Sequence, residues 1–150
     1  GELAVKSCTA FREYWGNPES TAKAFADGWF LTGDIAVIDE GAYRILGRAS
    51  IDIIKSGGYK LSALEIEATL LEHPDVDEVA VIGLPDDEWG EIVAAAVVLA
   101  NPLSEDSLVQ WSRELMSGYK IPRKWIFTDA LPRNALGKVT KPLISAWFEG

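Results

Sequence analysis

GRASIDIIKSGGYKLSALEIE, residues 47–67, is where the hydrophobic pattern of this chain changes period. Gly47 and Arg48 close a β-rich run, and after Ala49-Ser50 the segment IDIIK reads as a strand leading into Gly57-Gly58. Ser62, with Glu65 three residues on, has the form of a capping box and predicts a helix. Leu64, Ala68 and Leu71 are expected on its apolar face, and it is expected to end at His73-Pro74, because proline disfavours helical geometry in the residue before it.

Downstream, Val76–Leu84 and Ile92–Leu99 are β-rich runs separated by the acidic turn Pro85-Asp86-Asp87-Glu88. The second is apolar enough to lie centrally in a sheet. Ser104 then caps a helix running through Met116, Trp125–Thr128 reads as a strand, a polar loop holds Pro132–Lys138, and Lys141–Phe148 reads as a last helix. Upstream, ELAVK alternates like a half-buried strand, and PESTAKAFADG predicts a helix from Pro18 to a stop at Gly28. Ile35–Ile38 and Tyr43–Leu46 form a hairpin pattern around Asp39-Glu40-Gly41-Ala42. The expectation is an α+β unit, residues 49–150, preceded by a β-rich piece, residues 1–48.

At 150 residues, with 48% hydrophobic and 25% charged positions, the chain has an ordinary globular composition, which excludes disordered and fibrous classes. A net charge of −9 argues against nucleic acid as a partner. With Cys8 and His73 as sole representatives of their types, neither an internal disulfide nor a structural zinc site is expected. Cys8 reads as a small apolar residue, His73 as a turn residue, and the six tryptophans as core and interface aromatics. The longest apolar run, Ile92–Ala100, is too short for the ~20 residues of a membrane span, and no signal-like pattern opens the chain, so a cytoplasmic location is expected.

Charge is unevenly placed. Glu72–Asp106 holds ten acidic residues and no Lys or Arg, whereas Gly118–Pro142 holds six basic residues against Asp129 alone. The basic stretch could receive an anion; on charge alone a solvated face is the favoured reading.

Three motifs have chemical potential. In GWFLTGD, residues 28–34, Asp34 offers a carboxylate at a turn opening a strand, suited to accepting hydrogen bonds from a ribose diol; the bland alternative is an ordinary Thr-Gly-Asp turn. In residues 47–60, Arg48 supplies a planar cation, while Gly57-Gly58 between Lys55 and Lys60 permits close approach of a thin anionic ligand; a hairpin end and a glycine turn account for the same residues. In LPRNALGKVTK, residues 131–141, Lys138 follows a glycine in a basic loop, a placement suited to compensating charge that develops on a carboxylate or phosphate, although a solvated loop lysine fits locally as well. Pro132 stands where a Walker A loop needs glycine.

Taken in order, TGD, then GR…DIIKSGGYK…EIE, then PRNALGK, these motifs resemble the adenylate-forming enzymes: acyl-CoA synthetases, luciferases and peptide-synthetase adenylation domains. The wording SGGYKLSALEIE and LPRNALGKVTK is nearest to malonyl-CoA and related acyl-CoA synthetases. The resemblance implies the small, mobile C-terminal domain of an AMP-forming synthetase, preceded by the end of its large N-terminal domain. It implies ATP, coenzyme A and Mg2+ as cofactors, a small carboxylic acid as substrate, and the N-terminal domain as partner. By the same resemblance Asp34 and Arg48 contact the nucleotide, Lys138 acts in adenylation, Gly57 and Gly58 belong to the coenzyme A-binding face with Gly58 lining the pantetheine passage, and Lys55 and Lys60 assist coenzyme A binding. Ser50 stands at the hinge. Asp52 lies four positions after Arg48, one more than the usual family spacing, and Leu31 stands where Arg or Lys often precedes TGD. The family's phosphate loop and acyl pocket lie upstream of these residues, so the isolated chain is expected to fold without synthetase activity. A carrier-loading adenylation domain and a non-catalytic module of the same fold stay open as alternatives.

Overall fold

A computed structural model describes residues 1–149. The chain divides into two compact units, Gly1–Ser50 and Ile51–Gly150.

The first unit is built on one long strand. β1 (Glu2–Val5), β2 (Phe25–Ala26) and β4 (Ala42–Arg48) all pair antiparallel with β3 (Trp29–Asp39). Two expectations change here. The helix opening at Pro18, α1 (Pro18–Ala24), stops before Phe25, because Phe25 turns back to pair with Phe30 and packs with Phe11 and Phe30, ring centroids 5.0 to 5.7 Å apart. Clustering three partly buried aromatic rings outweighs one more helical turn. Thr32-Gly33-Asp34, expected as a turn ahead of a strand, lies inside β3, whose register shifts between Ile35 and Ala36.

The second unit is a five-stranded sheet covered on both faces. β5 (Ile53–Ser56) and β6 (Tyr59–Ser62) form a hairpin; β7 (Val76–Asp86) and β8 (Gly90–Leu99) form a longer one; β9 (Lys124–Phe127) lies parallel to β8. β8 bonds to β5, β7 and β9, and Ile92–Val98 is buried throughout, as its unbroken apolar run predicts. The two-residue period of the strand sorts this run between two cores. Val93, Ala95 and Val97 face α2 (Ala63–Leu70) and α3 (Glu105–Leu115), meeting Ile66, Leu70 and Leu108. Ala94, Ala96 and Val98 face Leu131 and Ile144, the latter on α4 (Lys141–Ser145). Each fully buried Leu or Ile contributes roughly 1.5–3 kcal/mol, so these residues fasten the loop before α4 to the sheet.

Helix α2 departs from expectation. Ser62 caps it, its hydroxyl accepting the Glu65 N–H at 3.1 Å, but the buried face is Ala63, Ile66 and Leu70, while Leu64 and Leu71 are exposed. Both sets have helical spacing, so periodicity alone does not choose between them. The entry of the helix is fixed instead by the Ala63 N–H, which donates to the Asp52 carbonyl at 2.7 Å. The helix also ends at Leu70, short of His73; buried His73 accepts the Asp75 N–H at Nδ1 (3.1 Å) and meets Trp111 edge-on. Tryptophans do not all enter the core as expected: Trp15 is 96% exposed. Cys8 is exposed as well.

Candidate functional site

The candidate residues fall into three groups, one in the first unit and two in the second. In the first, strand register places Asp34 directly across from Arg48, with Arg48 Nε 3.2 Å from Asp34 Oδ1. Arg48 also donates to the Thr32 carbonyl. The bend is held on both sides: the Thr32 hydroxyl donates to the Leu3 carbonyl at 2.8 Å and accepts the Asp34 N–H at 3.0 Å, and the Gly33 N–H donates to Glu2. A side chain at Gly33 would come within 3.0 Å of the guanidinium, so glycine lets Arg48 lie over the strand. Asp34 is about one-third exposed and Arg48 more than half, and a carboxylate has more acceptor sites than one guanidinium contact uses. A diol and an anion could both be received here.

The second group is the β5–β6 hairpin. Ser56 pairs with Tyr59, leaving Gly57-Gly58 as a two-residue connection with φ of 56° and 83°. Such a turn needs positive φ at both positions. The two glycines differ in surroundings. The Gly57 N–H donates to the Trp89 carbonyl at 2.9 Å, and a Cβ on Gly57 would stand 2.8 Å from the Trp89 ring; Gly58 faces open space. Trp89 carries the Arg123 guanidinium 4.2 Å from its ring centroid. Lys55 and Lys60 are direct cross-strand partners, both exposed. Like charges so opposed destabilise a hairpin slightly, and an anion between them would relieve the repulsion.

The third group is the loop from Leu131 to Thr140. The Asn134 carboxamide oxygen accepts the N–H groups of Leu136 and Lys138, each at 3.0 Å, and the Asn134 N–H donates to the Lys138 carbonyl at 2.9 Å. Arg133 donates to the Gly137 carbonyl at 2.8 Å and pairs with Glu78 of β7 at 2.5 Å. The Thr140 N–H closes the base of the loop on the Pro132 carbonyl at 2.8 Å. Lys138 is exposed and, among the described residues, forms no ion pair. A backbone this constrained presenting an unspent ammonium suits the stabilisation of charge on a bound ligand, because little ordering is left to be done on binding. Ser50 is an exposed turn residue, the last of the first unit.

The sequence reading missed Trp89, Arg123, Glu78 and the bracing roles of Arg133 and Asn134. Asn134 sits four residues before Lys138 and bonds locally, a pattern a loop asparagine signals. The other contacts join residues far apart in sequence, such as Arg133 and Glu78, and carry no local signal. Among the described residues no group of His, Cys, Asp and Glu side chains could hold a metal ion, and no helix is long and apolar enough to cross a membrane.

Residues 65–138 match the AMP-binding enzyme C-terminal domain. The chain is 51% identical over 144 residues to a mitochondrial malonate–CoA ligase of Bos taurus, covering 94% of this chain and 25% of the relative. It is 46% identical over 145 residues to the long-chain-fatty-acid–CoA ligase FadD13 of Mycobacterium tuberculosis, covering 96% of this chain and 29% of the relative. Among solved structures, ATP-bound MatB from Rhodopseudomonas palustris superposes with a TM-score of 0.89 at 38% identity, over 99% of this chain and 30% of that one. This chain therefore spans between a quarter and a third of the length of these relatives. Its mixed α+β second unit, the motif order and these matches agree, and the chain belongs to the AMP-binding, adenylate-forming enzymes, carrying their small C-terminal domain.

Proposed function

We propose that these residues serve as the C-terminal part of an AMP-forming acyl-CoA synthetase, with residues 1–48 the end of its large N-terminal domain, residues 49–150 its small domain and Ser50 the hinge. The observation that carries this reading is Lys138, whose ammonium forms no ion pair among the described residues and stands on a braced loop. In the first half-reaction a carboxylate oxygen attacks the α-phosphorus of ATP, the bond from that phosphorus to the bridging oxygen breaks, and pyrophosphate leaves. Negative charge is then shared between the acid and the α-phosphate, and Lys138 is the group placed to compensate it; a preorganised contact of this kind can be worth about 3–4 kcal/mol in the transition state. Asp34 would accept the ribose hydroxyls and Arg48 would lie beside the phosphates.

In the second half-reaction the thiol of coenzyme A attacks the acyl carbonyl and AMP leaves. Gly58, open to solvent, leaves room for the pantetheine arm, while Lys55 and Lys60 answer its phosphates. Gly57 acts by fitting under Trp89 and so fixing the turn. Mg2+ would accompany the triphosphate; the described residues offer it no site of their own. Malonate is the acid placed first, supported by the identity to the bovine ligase. A cytoplasmic location is our reading, although that relative is named as mitochondrial.

The test is thioester formation by the longer protein carrying these residues, given ATP, coenzyme A and a panel of acids from malonate to long-chain fatty acids. An acyl-CoA product with equimolar AMP and pyrophosphate supports the reading. Adenylate without transfer to coenzyme A would overturn it in favour of carrier loading. The isolated 150-residue chain is expected to form neither product.

A further inference from the structure

Three residues after Lys138, at the first position of α4, Lys141 is 12% exposed and makes two ion pairs: Nζ lies 2.7 Å from Asp52 Oδ1 and 2.9 Å from Glu67 Oε1. Both carboxylates are nearly as buried as the ammonium, at 13% and 14%. They come from different parts of the unit. Asp52 is the second residue of the second unit, two positions past Ser50, and its carbonyl accepts the Ala63 N–H that starts α2. Glu67 is on α2, and the same Oε1 that meets Lys141 accepts the Val81 N–H of β7 at 2.8 Å. One ammonium therefore joins the start of the second unit, α2, β7 and the downstream foot of the Lys138 loop.

The rest of that foot is held by Ile144, fully buried one helical turn on, and by the Thr140 to Pro132 hydrogen bond. Apolar packing resists separation from the sheet but tolerates sliding; two charge-assisted bonds to largely covered oxygens fix direction as well. The β5–β6 hairpin with Gly57-Gly58 follows directly from Asp52 along the chain and does not depend on α4 for its register. The two candidate faces of the second unit thus differ in how they are tied to its hinge-side end: one by continuous backbone, the other by Lys141.

We propose that Lys141 is a positioning residue for adenylation, a strut from Asp52 and Glu67 that sets where the Lys138 ammonium stands, and that it has no such role in thioester formation. This rests on the reading of Lys138 as the adenylation lysine. Lys141 itself touches no ligand on this account, since both sides of its ammonium are taken by carboxylates.

The experiment uses the longer protein and measures both half-reactions separately: acid-dependent pyrophosphate exchange into ATP, and transfer to coenzyme A from supplied acyl-adenylate. Lys141→Met is expected to lower kcat of exchange at least tenfold with KM for ATP changed less than threefold, while transfer from the adenylate stays within threefold; Lys141→Arg restores most of the exchange. Leu108→Ala, in the core on the opposite face of the sheet, is a destabilised control read well below its melting temperature, and it is expected to keep both rates. Equal losses in both half-reactions for Lys141→Met, or losses matched by Leu108→Ala, would reduce Lys141 to a stabilising contact and overturn the proposal. If Lys138→Ala leaves exchange intact, the reading beneath fails first; if Lys138→Ala abolishes exchange and Lys141→Met does not touch it, the strut alone fails.

Discussion

Lys138 and Lys141 stand on one turn of chain and have opposite fates. The first is exposed and without an ion pair among the described residues; the second is only 12% exposed and shared by two carboxylates. A lysine whose charge is already neutralised by fixed neighbours has little left to offer a ligand, whereas one held by its backbone alone keeps its full charge for whatever arrives. The difference separates a group suited to chemistry from a group suited to architecture, and neither composition nor local charge distinguishes them. Both sit in the same basic stretch of an acidic chain.

Stability measurements on the 150-residue chain sharpen that contrast, since the two lysines should be unequal there in the reverse sense of their catalytic effects. The largest loss is expected from Lys141→Met, about 3 kcal/mol, because removing one partner strands two carboxylates that are 13% and 14% exposed; urea denaturation read by tryptophan fluorescence measures it. Replacing the whole cluster, Asp52→Asn with Glu67→Gln and Lys141→Met, should recover part of the loss, and a triple variant less stable than Lys141→Met alone would contradict the charge argument. Gly57→Ala comes next, roughly 2 kcal/mol, from positive φ and from contact with the Trp89 ring. Gly58→Ala pays only for its backbone, roughly 1 kcal/mol, by the same melt. Lys138→Ala should shift stability least, within about 0.5 kcal/mol, as substitutions at exposed sites outside any network usually do. A Lys138→Ala protein as unstable as Lys141→Met would erase the distinction between them.

Much of the second unit was legible in the sequence because its signals are local. Ser62 and Ser104 cap helices as their spacing predicts, and the unbroken apolar run Ile92–Val98 occupies the middle of the sheet. The first unit was less so. Phe25 leaves α1 to meet Phe11 and Phe30, a tertiary preference overriding a helical pattern, and Asp34 sits within a strand because Arg48 pairs with it from the neighbouring strand. The face of α2 was misassigned for the same reason: Leu64, Ala68 and Leu71 match the period as well as Ala63, Ile66 and Leu70, and what decides between them is a hydrogen bond to Asp52 eleven residues earlier. Of the candidate site, the residue types could be named from the motifs, whereas the bracing by Glu78, Trp89 and Asp52 could not, since each contact spans dozens of positions.

Under the proposed function Lys138 spends its charge on adenylation. The most direct measurement is acid-dependent pyrophosphate exchange by the longer protein with Lys138→Ala, run beside transfer from supplied acyl-adenylate to coenzyme A. Exchange is expected to fall by about a hundredfold or more while transfer persists. Exchange at the rate of the unsubstituted protein would contradict it.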